Sequence, residues 1–186
     1  MVAKFSEILA VGNTRSDGLA NEVVRLVLAN PVLLPELVKE LKSDNANVRA
    51  HAADALEKVA RVLPEDVGAH MSTIATMAKL DEVPMVRWHL AMVLEHICRS
   101  SEVAGCVVQT LCFLLRDRSP FVRSWAVSGL AVLARRSLAA TPALVRAIAP
   151  LASDPSAAVA KRARTAIRAL TDPAFQLPSS WEKSRG

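Results

Sequence analysis

Residues 117–134 read DRSPFVRSWAVSGLAVLA, and three other stretches of the 186-residue chain share their pattern. The other copies are DNANVRAHAADALEKVA at 44–60, DEVPMVRWHLAMVLEHIC at 81–98 and DPSAAVAKRARTAIRAL at 154–170. Their aligned valines are Val48, Val86, Val122 and Val159, so successive copies are 38, 36 and 37 residues apart. A nearly constant period of this length indicates a protein built from stacked structural repeats.

Each copy has the apolar spacing of one helix face. In the copy quoted first, small or apolar residues follow Val122 at Ala126, Gly129, Leu130 and Leu133. These intervals fall on a single stripe of an α-helix. Another apolar helix is predicted before each copy, over residues 31–42, 64–80, 102–116 and 142–152. Paired antiparallel helices of this size cannot bury their apolar faces alone, so the sequence predicts an all-α solenoid.

The composition agrees with a helical protein. Apolar residues make up 52% of the chain, but aromatic residues make up only 4%, and tyrosine is absent. Alanine, valine and leucine therefore supply the core, which suits closely packed helices better than a sheet. The net charge is +5, and residues 141–186 hold seven basic against three acidic residues. The C-terminal end is thus the basic end, although the balance is mild for a nucleic-acid-binding protein.

Targeting and redox signals indicate an ordinary reducing compartment. Cys98, Cys106 and Cys112 form no CxxC pair, and we expect buried, reduced thiols. The N-terminal stretch MVAKFSEILAVG lacks the uninterrupted apolar region of a signal peptide. No run approaches the ~20 apolar residues needed to cross a membrane. We therefore expect a cytoplasmic protein with no membrane partner.

The repeat resembles the HEAT repeat family, especially the short HEAT-like units of phycobilin lyases. The resemblance is carried by the loop aspartate, by the pairs Val48-Arg49, Val86-Arg87 and Val122-Arg123, and by the following Ala-Leu-x-x-hydrophobic run, and it covers residues 31–171. It implies a right-handed α-solenoid of about four to five HEAT-like helical hairpins. The last copy departs from the family pattern because Ala160 stands where arginine is expected.

This pattern predicts one HEAT-like domain over residues 1–171 and an extended tail over 172–186. Residues 1–30 are expected to form a degenerate N-terminal capping repeat. The four regular repeats are expected at about 31–62, 63–99, 101–137 and 141–171. Two prolines in the tail disfavour further helix, and Phe175 and Trp181 are the residues expected to pin it to the last helices.

The resemblance also implies a role for the recurring aspartates and arginines. In such repeats the loop aspartate and the arginine after the valine tend to form a ladder of bonds between neighbours. The residues expected in this structural ladder are Asp44, Arg49, Asp81, Arg87, Asp117 and Arg123. These side chains would hold the repeats together and need no partner molecule to explain them.

The second helix of each repeat lines the concave face in HEAT-like solenoids, and the resemblance therefore implies where a partner would bind. Reading outward positions along the solenoid, the groove begins acidic, becomes rich in tryptophan and histidine, and ends basic. The candidate contact residues are His51, Asp54, Trp88, His89, Trp125, Arg162, Arg164 and Arg168. Trp88 and Trp125 either offer stacking faces to a ligand or wedge between repeats. The final arginines either attract an acidic segment of a partner or are the solvent-exposed surface of a terminal capping repeat.

Motifs for catalysis are missing from the sequence. It contains no HExxH, no Gly-rich phosphate loop and no G-x-S-x-G elbow. His89 and His96 share a helix face but would lie ~10 Å apart along the axis, too far for one metal ion. No metal or cofactor is therefore expected.

The favoured function is a non-enzymatic scaffold that binds an unknown protein or peptide segment, and an acidic segment is one candidate. Nucleic-acid binding is the second hypothesis. The third is a lyase or a HEAT-like DNA glycosylase for alkylated purines. Met92 and Gly129, one turn after the tryptophans, leave that site without the carboxylate that such a glycosylase uses.

Overall fold

The computed structural model describes residues 4–13, 18–99, 101–136 and 141–181, and these fold as helices joined by short loops. The α-helices are α1 (Phe5–Leu9), α2 (Ala20–Ala29), α3 (Leu34–Glu40), α4 (Ala46–Val62), α5 (Pro64–Gly68), α6 (Met71–Leu80), α7 (Pro84–Ile97), α8 (Ser101–Leu114), α9 (Pro120–Arg135), α10 (Thr141–Ile148) and α11 (Ala157–Thr171). Short 3-10 helices at Pro31–Leu33 and Ala149–Ser153 precede α3 and follow α10.

The helices form two layers, as a solenoid requires. Helices α2, α4, α7, α9 and α11 pack side by side in chain order. The first helices α3, α6, α8 and α10 each pack against the second helix of their own repeat, while α1 packs against α2, α3 and α4. The predicted all-α solenoid is confirmed. No helix in the described ranges has both the length and the apolar character needed to cross a membrane.

The core follows the apolar columns of the repeat. The four anchor valines are at most 2% exposed, and Ala52, Leu90, Ala126 and Ala163, four positions later, are fully buried. Alanine and glycine in these columns let neighbouring helices approach closely. A Cβ on Gly129 would stand only 3.1 Å from Leu111 Cδ1, so this helix crossing favours glycine.

Three of the first helices differ from the continuous helices expected from the sequence. The stretch 31–42 begins as the 3-10 helix Pro31–Leu33 before α3. The stretch 64–80 is broken into α5 and α6 directly after Gly68, a residue of low helix propensity. The stretch 142–152 changes from α10 into a 3-10 turn, because Pro150 has no N–H to donate to the helix. The thiols also differ from expectation, since Cys106 is exposed whereas Cys98 is buried.

A ladder of arginine–aspartate bonds joins successive repeats. Arg49 Nε lies 2.7 Å from Asp81 Oδ2 of the next repeat. The same bond recurs one repeat later between Arg87 and Asp117 at 2.7 Å, and again between Arg123 and Asp154 at 2.8 Å. Each arginine also donates Nη1 to a loop carbonyl of its own repeat. One guanidinium therefore ties the loops of two neighbouring repeats together.

The aspartates of the ladder also shape the loops in which they lie. Asp81, Asp117 and Asp154 each accept a hydrogen bond from the backbone N–H two residues later. Burial of Asp117 opposes its charge, but the bonds from Arg87 and from the Ser119 amide outweigh that cost and lower its pKa. Hydrogen bonding from Arg123 likewise lowers the pKa of Asp154.

Asp44 does not serve as the first acid of this ladder. Only its carbonyl oxygen accepts from Arg49, at 3.3 Å, and its side chain is exposed. The bonds run from each arginine to the aspartate of the following repeat, so the acids used are Asp81, Asp117 and Asp154. The expected set of ladder residues was therefore wrong in one acid, because Asp154 takes part and Asp44 does not.

Asp117→Asn should lower the free energy of unfolding at pH 7 by about 3 kcal/mol, because it leaves the buried Arg87 without its counter-ion. The folded-state pKa of Asp117 is depressed, so this stabilisation is present above about pH 4 and is lost as the pH falls towards the folded pKa. Urea unfolding at pH 7 and pH 3 should therefore show a smaller acid-induced loss for the variant than for the wild type. Asp44→Asn is the control, and equal effects of the two substitutions would contradict the ladder.

Candidate functional site

Five planar side chains from three helices and the C-terminal segment stack in a row. The Trp88 and Trp125 rings have centroids 6.4 Å apart at an interplanar angle of 16°. His89 stacks on Trp88 at 3.6 Å. The Arg162 guanidinium carbon lies 4.9 Å from the Trp125 ring centroid and 5.2 Å from that of Trp181. We call the surface of α7, α9 and α11 around this stack the second-helix face.

Arg162 is held in a fixed position without a carboxylate partner. It occupies the same repeat position as Trp125, three residues after the anchor valine. Its Nη1 donates a 2.7 Å hydrogen bond to Ser128 Oγ, and the two indoles cover it. Arg162 is half-buried, and this burial lowers its pKa. Among the described residues it makes no ion pair, unlike the ladder arginines.

The C-terminal segment 172–181 folds back across the second-helix face. Phe175 lies under the Arg168 guanidinium, whose central carbon is 4.5 Å from the ring centroid. Trp181, only 7% exposed, joins the hydrophobic core. Its indole borders a small crevice with Met92 of α7 and Gly129 of α9. The segment therefore reaches from α11 back to α7 and closes part of this face.

An open cavity of about 570 Å³ lies beside the stack. Its walls include Phe121 and Trp125 from α9, Lys161 and Arg162 from α11, and Pro178 and Trp181 from the C-terminal segment. Phe121, in the first turn of α9, is 67% exposed. No carboxylate is found among the described residues that line this cavity. We call it the aromatic pocket.

The acids expected in the groove are instead buried in ion pairs. Asp54 is 6% exposed and lies 2.8 Å from Lys58 Nζ and 3.3 Å from His89 Nε2. Burial opposes its charge, but hydrogen bonds from His89 and Lys58 lower its pKa overall. Asp54 and His89 therefore join neighbouring repeats rather than meeting a partner, which corrects the sequence-based expectation.

A second buried chain of charges runs through α4, α7 and the end of α9. Arg61 bonds to Glu57, whose Oε1 lies 3.3 Å from His96 Nε2. His96 Nδ1 lies 3.2 Å from Glu95 Oε2, and Arg136 lies 2.7 Å from the other Glu95 oxygen. Burial raises the pKa of Glu95 despite these cations. This network holds the helices together and leaves no free acid along the described part of α4 or α7.

His51 is also inaccessible, contrary to the prediction that it contacts a partner. It is fully buried, with Nδ1 2.7 Å from the Leu9 carbonyl oxygen and Nε2 3.0 Å from that of Asn13. The N-terminal helices cover this end of the second-helix layer, so His51 fastens them to α4.

The three arginines predicted on α11 point in different directions and contact different groups. Arg164 follows Arg162 by two residues, or about 200° around the helix, and donates Nη1 to the Ala152 carbonyl oxygen at 2.7 Å. Arg168 stacks on Phe175 and lies 3.9 Å from Asp172. Of the predicted arginines, only Arg162 lines the aromatic pocket, and Lys161 joins it there.

The structure thus places Trp88, Trp125 and Arg162 in one stack and buries His51, Asp54 and His89. Arg164 and Arg168 stay exposed but lie outside the aromatic pocket. The structure adds Phe121, Lys161, Pro178 and Trp181. Phe121 had a sequence signal, because it stands just before the anchor valine where other repeats have Asn47, Met85 and Ala158. Within the described ranges, no group of three His, Cys, Asp or Glu side chains is arranged to hold a metal ion.

The sequence matches a family model described as HEAT repeats over residues 34–131, which is more than half of the chain. No curated protein is similar enough in sequence to count as a relative.

Several solved structures share the fold. An engineered protein has 20% identity and a TM-score of 0.62, with 89% of this chain and 77% of that chain covered. The archaeal HEAT-like repeats protein from Thermococcus onnurineus NA1 has 18% identity and a TM-score of 0.60, covering 90% and 64%. A structure concerned with TOG–tubulin binding specificity has 16% identity and a TM-score of 0.50, covering 89% and 72%. At these identities the likeness shows the fold alone.

Trp181→Ala should release the C-terminal segment from the second-helix face, because this buried indole anchors it. Loss of a buried tryptophan costs about 3 kcal/mol, so amides of residues 174–181 should exchange with solvent about 100-fold faster. Hydrogen exchange read by mass spectrometry measures this directly. Phe113→Ala, at an exposed position on α8, is the control, and unchanged exchange in the Trp181 variant would show that the indole is not the anchor.

Proposed function

The chain belongs to the HEAT repeat family, and we propose that it is a non-enzymatic binding module whose second-helix face holds a segment of a partner protein. In a HEAT-like solenoid this face is the concave side, which is shaped to receive an extended or helical segment. The chain would present its aromatic pocket there as the point of strongest attachment.

The aromatic pocket is the observation that carries this proposal. Phe121 is exposed beside the half-buried Trp125, and their arrangement is typical of the anchoring regions of protein interfaces, which are enriched in aromatic residues and arginine. The volume of about 570 Å³ suits one or two side chains of a bound segment. An aromatic, partly apolar cavity of this kind would gain stability when a partner covers it.

The rigid support of the pocket favours tight binding. Arg123 of α9 bonds to Asp154 in the loop before α11, which joins the two helices that line the pocket, and Ser128 fixes Arg162 within it. A preformed site spares the ordering entropy that a flexible surface would lose on binding. Repeats of this fold commonly serve as interaction scaffolds, and the neighbour concerned with TOG–tubulin binding is one protein-binding example.

Nucleic-acid binding receives less support from the side-chain directions. A single strand needs a path of cations along its phosphates together with stacking platforms. Arg164 and Arg168 are directed to a backbone carbonyl and to Phe175, which leaves Lys161 and Arg162 as the basic residues of the pocket. Two cations suit a single anionic group better than a phosphate backbone.

Selection of random displayed peptides against the full chain tests the proposed function. Enriched peptides should bind the wild type, and Phe121→Ala should weaken them about tenfold or more, because the pocket loses an exposed aromatic anchor. Val32→Ala is the matched control, since Val32 is 81% exposed at the start of another repeat. Affinities are measured by fluorescence anisotropy.

Peptides that bind Phe121→Ala as well as the wild type would contradict this use of the pocket. Tight binding of single-stranded DNA that falls steeply between about 50 and 200 mM salt would favour the nucleic-acid function instead.

A further inference from the structure

The Arg162 guanidinium is a partly buried charge that lacks a carboxylate partner among the described residues. The ladder arginines at positions 49, 87 and 123 each bond to an aspartate, whereas Arg162 has one serine hydroxyl and two indole faces. Cation–π contacts stabilise such a charge but do not neutralise it. Lys161, its exposed neighbour in the pocket wall, also makes no ion pair with any residue in the described ranges.

We infer that the aromatic pocket recognises a carboxylate joined closely to an aromatic ring. The carboxylate would pair with Lys161 and Arg162, and the ring would lie against Phe121 and the indoles of Trp125 and Trp181. This inference rests on the proposed function and sharpens it. The partner segment would place an acidic group, either a side chain or a chain terminus, beside an aromatic residue.

Charge complementarity supports the acidic half of this ligand. The described lining contains two cations and no carboxylate. A charge-assisted hydrogen bond is about twice as strong as a neutral one. Because indoles already shield Arg162 from water, a bound carboxylate would replace little hydration there. The lowered pKa of Arg162 points the same way, since burial disfavours its charge until an anion is present.

The walls of the pocket support the aromatic half. Phe121 comes from the first turn of α9, Trp125 from its second turn, and Trp181 from the C-terminal segment. Pro178 adds a flat apolar surface beside Trp181. Aromatic rings prefer offset or edge-to-face contacts with other rings, and such contacts stabilise a complex beyond the burial of apolar area.

The C-terminal segment completes the site rather than blocking it. Trp181 is buried against the solenoid, yet the cavity remains open with Trp181 and Pro178 as one wall. Removal of this wall would expose Arg162 to water on one side and weaken its pairing with an anion. Trp181→Ala should therefore lower the affinity for the acidic ligand rather than raise it.

N-acetyltryptophan and N-acetyltryptophanamide form a matched pair of probes, because they share an indole and differ in the carboxylate. Titrated into the full chain and followed by NMR, the acid should bind at least about tenfold more tightly than the amide. Lys161→Gln should reduce the affinity for the acid about fivefold and leave that for the amide unchanged. Lys42→Gln, at an exposed lysine of the first regular repeat, is the matched control.

Phe121→Ala should weaken both probes alike, which separates the ring contact from the charge contact. Equal affinities for acid and amide, or no binding of either, would overturn the inference. Displayed peptides that still depend on Phe121 in that case would leave the proposed function standing. If the acid and the amide do not differ and no displayed peptide depends on Phe121, the site itself would be overturned.

Discussion

The bond between an arginine of one repeat and the aspartate of the next is the interaction on which this structure depends. Arg87 shows its geometry, because one guanidinium meets the Asp81 carbonyl of its own loop and the Asp117 carboxylate of the following loop. The bond sets the register of neighbouring second helices. That register brings Trp125 and Arg162, at equivalent repeat positions, into one stack.

The end of the ladder also explains why the candidate site lies at the C-terminal end. Ala160 stands where the three earlier repeats have the ladder arginine, so α11 has no guanidinium at the ladder position. The position five residues after the anchor valine is a buried alanine or valine in the earlier repeats, namely Ala53, Ala91 and Val127. In the last of the four repeats it is the exposed Arg164. The segment 172–181 packs at this end and turns Trp181 into the face.

Much of the fold could be predicted because it depends on the local periodicity of the sequence. Apolar columns, loop aspartates and helix-breaking prolines recur at fixed spacing, and each acts within one repeat or between neighbours. The breaks near Gly68 and Pro150 were not predicted, because there a single residue overrides the general apolar pattern. The residues of the ladder could be predicted, but the direction of its bonds could not. Because each arginine bonds to the aspartate of the following repeat, Asp44 is left out.

The candidate site was harder to predict because it depends on which polar side chains find partners across repeats. His51, Asp54 and His89 have outward positions on a helical wheel, yet all three are buried. His51 bonds to the Leu9 carbonyl oxygen, and Asp54 pairs with Lys58 of its own helix and with His89 of the next repeat. Trp125 and Arg162 remained, since both line the aromatic pocket as well as joining the stack. The role of Trp181 depends on where an irregular segment docks, and periodicity carries no information about that.

A double-mutant cycle on Arg123 and Asp154 tests the central claim most directly, because this pair lies between the two helices that build the pocket. Arg123→Met, Asp154→Ala and the double variant would be compared with the wild type by urea unfolding and by near-ultraviolet circular dichroism of the indoles. The ladder predicts a coupling of about 2 kcal/mol and a reduced indole signal in each single variant. A coupling below about 0.5 kcal/mol with an unchanged indole spectrum would show that the ladder does not position the stack.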